Sequence, residues 1–266
     1  MADHPTPASI LTAMHAAPPL VHCITNYVAM NVAANVVLAA GASPAMVHAP
    51  EEAGEFAGIA GALTVNIGTL SAPWLAGMKA AVTAAQAAGT PWVLDPVAHF
   101  ATQFRRDAMA ELLAMQPAVI RGNASEIIAL AGGDSAGKGV DAGDTVIAAR
   151  ERAVALAQTA KAVVAVTGET DFVTDGVRQA TIHGGSPLMP QVTALGCSLT
   201  CLTGATLAAC REDRFEATLA ALAMFAAAGS AAAQQANGPG SFAWRFLDAL
   251  AALDSSGLEA VRIKRS

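Results

Sequence analysis

"PWVLDPVAHFATQFRRDAMAELLAMQPAVIRGNASEIIAL", residues 91–130, runs twice through the same unit: a short apolar run, then a segment of helical length. The runs at 92–95 and 118–121 are too short for buried helices and suit strands that are covered on both faces. Each ends on a charged residue, Asp95 before Pro96 and Arg121 before Gly122. The same alternation extends outward from near the start of the chain to about Gly184. Strands are expected at 20–25, 44–48, 63–67, 92–95, 118–121 and 162–167. Helices are expected at 28–40, 51–58, 72–88, 103–115, 123–131 and 144–160. Repeated β-then-α order implies an α/β fold with a mostly parallel central sheet, right-handed crossovers and flanking helices. After Thr167 the pattern changes to a hairpin turning at 174–176. Helices at 196–211, 214–235 and 240–253 follow, and LEAVRI adds a last short strand. No repeat, linker or break in composition marks a second unit, so one domain is expected over residues 1–266.

Composition narrows the function class. Hydrophobic residues make up 54% of the chain and aromatics only 5%, which suits Ala-, Val- and Leu-rich helices packed closely on a sheet. A net charge of −6 with no run of Lys or Arg offers no footprint for a nucleic-acid backbone or an anionic membrane. No Lys or Arg precedes Lys79, so the basic start of a secretory signal is missing and a cytoplasmic location is expected. The uncharged stretch 217–233 is mostly alanine, contains Gly229 and Ser230 and runs into QQANGPGS, which favours a buried helix over a membrane span. Cys23, Cys197, Cys201 and Cys210 form no metal-ligand pattern and read as free thiols.

In open parallel sheets ligands lie beyond the carboxyl ends of the strands. The polar residues there are Thr25, Asn26, Asn66, Asp95, Arg121, Asn123, Glu126, Thr167 and Gly168. Asp95 and Glu126, on neighbouring loops, make an oxygen-rich pair suited to Mg²⁺, directly or through water. Taken singly they also read as a helix cap and a dipole-favourable first-turn glutamate. The Thr167 hydroxyl and the Gly168 amide suit a phosphate, although Thr-Gly after a strand is often only a turn. GGDSAGKGVD, from Gly132, has the glycine and lysine spacing of a phosphate loop. It follows a helix rather than a strand, and Gly139 stands where the cation-binding hydroxyl belongs, so it is not read as one. Met46, at a strand end, reads equally as packing or as an apolar substrate wall.

TALGCSLT, residues 193–200, bends into a helix through small residues. Backbone amides at Ala194, Leu195, Gly196 and Cys197 would cradle an anion, and the same field would lower the Cys197 pKa toward thiolate. That leaves three functions open. One is a small-alcohol kinase. A second is a hydrolase or acyltransferase with Cys197 as nucleophile and His22 or His183 as base. The third is a sensor that binds without turnover.

PLVHCITNYVAMNVAANVVLAAGASPAM, VNIGTL, WVLDPV, IRGNASEI, GKGVD, VAVTGETDFVTDG and VTALGCSLT, in this order across nearly the whole chain, resemble the hydroxyethylthiazole kinases of thiamine salvage. The resemblance implies a ribokinase-like fold and transfer of phosphate from ATP to 5-(2-hydroxyethyl)-4-methylthiazole. It implies Met46 and Gly196 as substrate contacts, Arg121 and Thr167 as ATP contacts, and Asp95 and Glu126 as Mg²⁺-site residues. Cys197 becomes the candidate base, where relatives place a catalytic aspartate. The sequence departs from the family where AHFAT follows LDPV in place of a run such as GVGAT, and where Ala194 replaces the first glycine of the anion hole. A β-rich lid has no room between residues 20 and 67. The resemblance implies instead a homotrimer with sites at subunit interfaces, Met46 facing the Cys197 of the adjacent chain.

Overall fold

The computed structural model describes residues 4–132 and 146–266. Apart from Gly132, the GGDSAGKGVD stretch lies outside the described residues. In chain order the elements are α1 (Pro7–Ala16), β1 (Leu20–Ile24), α2 (Met30–Ala39), β2 (Ser43–Ala45), α3 (Pro50–Ile59), β3 (Ala62–Asn66), α4 (Ala72–Ala87), β4 (Trp92–Asp95) and α5 (Gln103–Ala114). There follow β5 (Val119–Asn123), α6 (Ala124–Leu130), α7 (Val146–Ala160), β6 (Val163–Thr167), β7 (Thr170–Thr174), β8 (Gln179–His183), α8 (Leu195–Ala209), α9 (Arg214–Ala233), α10 (Pro239–Ala251), α11 (Ser255–Glu259) and β9 (Arg262–Arg265). The nine strands of the described residues join one sheet in the order β2-β1-β3-β4-β5-β6-β7-β8-β9. The pairs from β2 to β6 are parallel, and β7, β8 and β9 add antiparallel to one edge.

Helices cover both faces, and alternation along each strand divides the core in two. Cys23, Val93, Val119, Ala165 and Val173 pack with α1, α2, α8, α9, α10 and α11. Ile24, Leu63, Val65, Leu94, Ile120, Val166 and Phe172 pack with α3 to α7. Every residue of β3 is buried, the mark of a strand covered on both sides. Burying a side chain such as Phe172 or Leu63 stabilises the fold by roughly 1.5–3 kcal/mol, and residues of this kind on both faces hold the three layers together.

The apolar stretch at 217–233 falls in α9. It is long and apolar enough to cross a membrane, but 83% of its most apolar window is buried inside the protein against α1, α8, α10 and the sheet. Helix α8 lies close on the sheet because Gly204 has no side chain: a Cβ there would sit 2.6 Å from Thr64 Cγ2 and 3.0 Å from Val21 Cγ1. That approach sets the start of α8 over the carboxyl ends of the strands.

Sequence reading did not foresee α1, α11 or the short 3-10 turn Met189–Gln191. Strand β2 ends at Ala45, so Met46 lies just beyond it. Between β1 and β3 the chain contains only α2, β2 and α3, with no inserted lid strands.

Candidate functional site

Because side chains alternate along a strand, the strand-end residues Thr25, Asn66, Asp95, Arg121 and Thr167 fall on the face covered by α8. They follow one another across β1, β3, β4, β5 and β6, opposite the first turns of α8. Hydrogen bonds and one ion pair join Asn26, Asn66, Asp95, Arg121 and Thr167 in a row, while the buried Thr25 Oγ1 has no protein partner. Asn26 Nδ2 donates to Asn66 Oδ1 at 2.9 Å, and Asn66 Nδ2 donates to Asp95 Oδ2 at 2.7 Å. The same Asp95 oxygen accepts from Thr200 of α8 at 2.8 Å and lies 3.6 Å from Arg121 Nη1. Arg121 Nη2 donates to Thr167 Oγ1 at 2.6 Å.

Helix α8 meets this row at three points. Gly196 lies against Arg121, and a Cβ at Gly196 would be 3.0 and 3.1 Å from the two terminal guanidinium nitrogens. Cys197 Sγ accepts from Asn26 Nδ2 at 3.4 Å. Thr200, one turn further on, holds Asp95. No side chain caps the start of α8, so its first-turn amides keep their positive field for a ligand. Ala194 precedes the helix in the left-handed conformation, at φ 65° and ψ 2°. For a residue with a Cβ this costs roughly 1–2 kcal/mol, a cost that glycine would not carry. Ala98, in the AHFAT departure, is likewise left-handed at φ 46°.

Asp95 is fully buried, and burial pushes its carboxyl up to about 6, with Arg121 pulling it back and Glu126 pushing further. Its Oδ1 is buried with no protein partner, an oxygen available to a ligand. Glu126 is placed by α6: its Oε2 accepts the Asn123 N–H at 2.9 Å in a capping box, and its Oε1 accepts the Ala98 N–H at 3.0 Å. It therefore serves as a first-turn glutamate, close enough to Asp95 for its charge to act there. Among the described residues no cluster of three or more His, Cys, Asp or Glu side chains forms a protein cage for a metal. The donor set fits Mg²⁺ of the kind that keeps waters and shares one or two carboxylates with a substrate's phosphates.

Two sequence expectations are corrected here. Cys197 is not biased toward thiolate: burial, followed by the nearby Asp95 charge, pushes its thiol up to about 11, against the opposing effects of Arg121 and Asn26. The helix field is real but local, and desolvation of the anion outweighs it. The Gly168 N–H is not left open either, because Asp171 Oδ1 accepts it at 3.0 Å.

The cysteine–histidine arrangement is absent from the described residues. His22 is directed to the opposite side of the sheet, with Nε2 2.6 Å from the Val47 carbonyl and its ring edge-on to Phe56. His183 Nδ1 lies 3.4 Å from Thr170 Oγ1.

Sequence reading missed three residues around the site. Thr200 could have been found, since it falls three positions after Cys197 on the same helix face. Arg105 bridges the loops after β3 and β4, donating to the Ile67, Val97 and Gly68 carbonyls, and nothing in FRRD signals this. Asp171 reaches the site only through strand pairing. Two cavities lie elsewhere. One of about 410 Å³ lies between α9, α10 and α11, and one of about 720 Å³, lined by Lys161, Arg178 and Phe215, lies at the opposite end of the sheet.

Known proteins resemble the chain over most of its length. The model of the hydroxyethylthiazole kinase family matches residues 11–256. The chain is 68% identical to a hydroxyethylthiazole kinase of Rhizobium rhizogenes, covering 96% of this chain and 95% of that protein. It is 70% identical to one of Rhizobium etli, covering 94% and 97%. Its fold is similar to the structure of a hydroxyethylthiazole kinase protein from Pyrococcus horikoshii, with TM-score 0.90, 36% identity and 98% of both chains covered. A pyridoxal kinase from Staphylococcus aureus in complex with AMP-PCP and pyridoxal shares the fold at TM-score 0.65 and 17% identity, over 94% of this chain and 99% of that one. The fold is ribokinase-like, as the resemblance implied.

Proposed function

The chain belongs to the hydroxyethylthiazole kinase family, and from that membership and the site we infer that it transfers the terminal phosphoryl group of ATP to the hydroxyl of 5-(2-hydroxyethyl)-4-methylthiazole, a step of thiamine salvage. The whole chain acts as one kinase domain in the cytoplasm. The observation that carries the reading is the set of uncapped amides at the start of α8 facing Arg121, Asp95 and Thr167. A test of the activity is ADP release with the thiazole alcohol, with hydroxymethylpyrimidine and with neither. Release that depends on the thiazole alcohol supports the reading. Nucleotide binding with no turnover would indicate a sensor instead.

Phosphoryl transfer passes through a loose transition state, so the enzyme chiefly positions the two oxygens and neutralises spreading charge. Arg121 and Thr167 hold the phosphates of ATP, and the amides of Leu195, Gly196 and Cys197, entered from Ala194, receive the transferring group. Asp95, whose Oδ1 has no protein partner, and Glu126 would hold Mg²⁺. When bound, Mg²⁺ supplies countercharge to the phosphates. Met46 and Gly196 line the place of the alcohol.

Cys197 then orients the hydroxyl as a neutral thiol. Its anion is scarce at neutral pH, with the thiol pushed up to about 11, and a loose transition state releases the alcohol's proton late, after most of the bond to ADP has broken. Cys197→Ala should therefore lower kcat by about 5–10-fold, the size of one lost hydrogen bond, rather than the about 10²–10⁴-fold expected for loss of a general base. Cys197→Asp should remain active. Between pH 7 and 9 the wild-type rate should show no inflection from the thiol, since ionisation begins only as pH approaches about 11. Complete loss of turnover in a folded Cys197→Ala protein would revive a covalent role.

We further propose that the protein works as a homotrimer, with Met46 of one protomer facing the Cys197 side of the next. Support comes from the β1–α2 loop beside the site, where the apolar Tyr27 and Val28 are 68% and 59% exposed, as at surfaces that another chain covers. Mixing inactive Met46→Arg and Cys197→Arg chains should restore part of the activity. A fully active monomer in solution would end this proposal.

A further inference from the structure

Asp171 has no part in the chemistry above, yet it stands beside the nucleotide half of the site. Strand β7 runs back along β6, with Val164 opposite Thr174, Ala165 opposite Val173 and Val166 opposite Phe172. Carrying that register one step further sets Asp171 opposite Thr167. The two residues that follow Asp171 locate its face: Phe172 packs with α3 to α7, and Val173 packs with α8 and α9. Asp171 therefore shares the face of Val173, the face of Arg121 and Thr167.

A carboxylate beside a phosphate subsite calls for an explanation, because like charge would oppose the ligand. Its hydrogen bonding supplies one. Asp171 Oδ1 accepts the Gly168 N–H at 3.0 Å, which ties down the tight turn directly after Thr167. Thr167 is fixed from its other side: its Oγ1 donates to the Gly122 carbonyl at 3.3 Å and accepts from Arg121 Nη2 at 2.6 Å. Asp171 is half-buried, and desolvation of its carboxyl pushes it up to about 6, with the Gly168 N–H and the Arg121 charge pulling the other way.

We propose that Asp171 is a positioning residue for the phosphoryl donor: by accepting the Gly168 N–H it holds the β6–β7 turn in the form that presents Thr167 to Arg121. It acts through these neighbours and touches no reacting atom. The inference rests on the reading that Arg121 and Thr167 bind ATP.

The test is steady-state kinetics with ATP and the thiazole alcohol varied separately, together with calorimetric titration of ADP. Asp171→Ala should raise KM for ATP and weaken ADP binding about tenfold, the size of one lost hydrogen bond. KM for the alcohol and kcat should stay within about twofold of the parent. Asp171→Asn keeps an oxygen that can accept the Gly168 N–H, and it should restore KM for ATP to within about threefold. A purely structural role would lower stability and all kinetic constants together, without this split or this rescue. The proposal is overturned if Asp171→Ala leaves KM for ATP unchanged, if kcat and the alcohol's KM change alongside it, or if Asp171→Asn is as impaired as Asp171→Ala. Should Asp171→Ala not fold, amide exchange in the unaltered protein decides: Gly168 should be protected relative to Glu169, and equal rapid exchange of the two counts against the bond. Arg121→Ala separates the two levels of the account. No change in its KM for ATP means the nucleotide assignment fails. A rise with Arg121→Ala but none with Asp171→Ala removes only the role of Asp171.

Discussion

Asp95→Asn is expected to lose about 10²–10³-fold in turnover, the range seen when one preorganised charge-stabilising group is removed, while melting no lower than the parent protein. Asp95 is where Asn66, Thr200 and Arg121 converge, and its unpartnered Oδ1 is the free carboxylate oxygen of the row. Asparagine retains the shape and loses the charge that the reading assigns to Mg²⁺. Stability moves the other way. A carboxyl whose folded-state pKa is raised favours the fold when protonated, and that contribution is lost as pH rises from the ordinary carboxylate value near 4 through about 6. At neutral pH the ionised form is thus a burden on the fold that the neutral amide lacks. Kinetics at several Mg²⁺ concentrations, with a thermal melt beside them, checks both parts. Near-normal turnover at ordinary Mg²⁺ would remove Asp95 from the site, and a sharp fall in melting temperature would make it a structural residue.

Gly196→Val is the second large effect. A single Cβ would lie 3.0–3.1 Å from the Arg121 nitrogens, tight enough that the guanidinium must shift by a few tenths of an ångström. Valine adds two methyl groups on a stiff, branched side chain. Arg121 is only 8% exposed and is held by Thr167 and Asp95, so it has no free rotamer into which to retreat. The expected result is a fall of about 10²-fold in kcat/KM for ATP, equivalent to about 2.7 kcal/mol of lost transition-state binding. Gly196→Ala should fall between Val and the parent. A value within about twofold of the parent for Gly196→Val would mean that Arg121 does not contact the nucleotide.

The parallel half of the fold was legible because its strands, apart from the edge strand β2, are short runs buried on both faces, which stand out as continuous apolar sequence. The strand-end row followed from the rule that ligands gather beyond the carboxyl ends, and Asn66, Asp95, Arg121 and Thr167 were all named on that ground. What remained hidden depended on contacts between distant segments. Asp171 reads as one polar residue in a hairpin until the β6–β7 register sets it opposite Thr167. Arg105 looks like any helix-surface arginine until it reaches the carbonyls of two loops. Helix α1 is short and bounded by prolines, with its capping box at Thr6 and Ser9, and neither its length nor its composition stood out. The thiol of Cys197 was misjudged for a related reason: a helix terminus is visible in sequence, whereas the burial and the Asp95 charge that outweigh it are not.

The most direct test is a crystal structure with a non-hydrolysable ATP analogue, Mg²⁺ and 5-(2-hydroxyethyl)-4-methylthiazole bound together. The account predicts the alcohol oxygen within hydrogen-bond reach of Cys197 Sγ and about 3–3.5 Å from the terminal phosphorus, the separation of a near-attack geometry. The phosphates should lie on Arg121, Thr167 and the amides of Gly196 and Cys197. The alcohol bound instead in the cavity between α9, α10 and α11 or in the one lined by Lys161 and Arg178, or phosphates bound away from the start of α8, would contradict it.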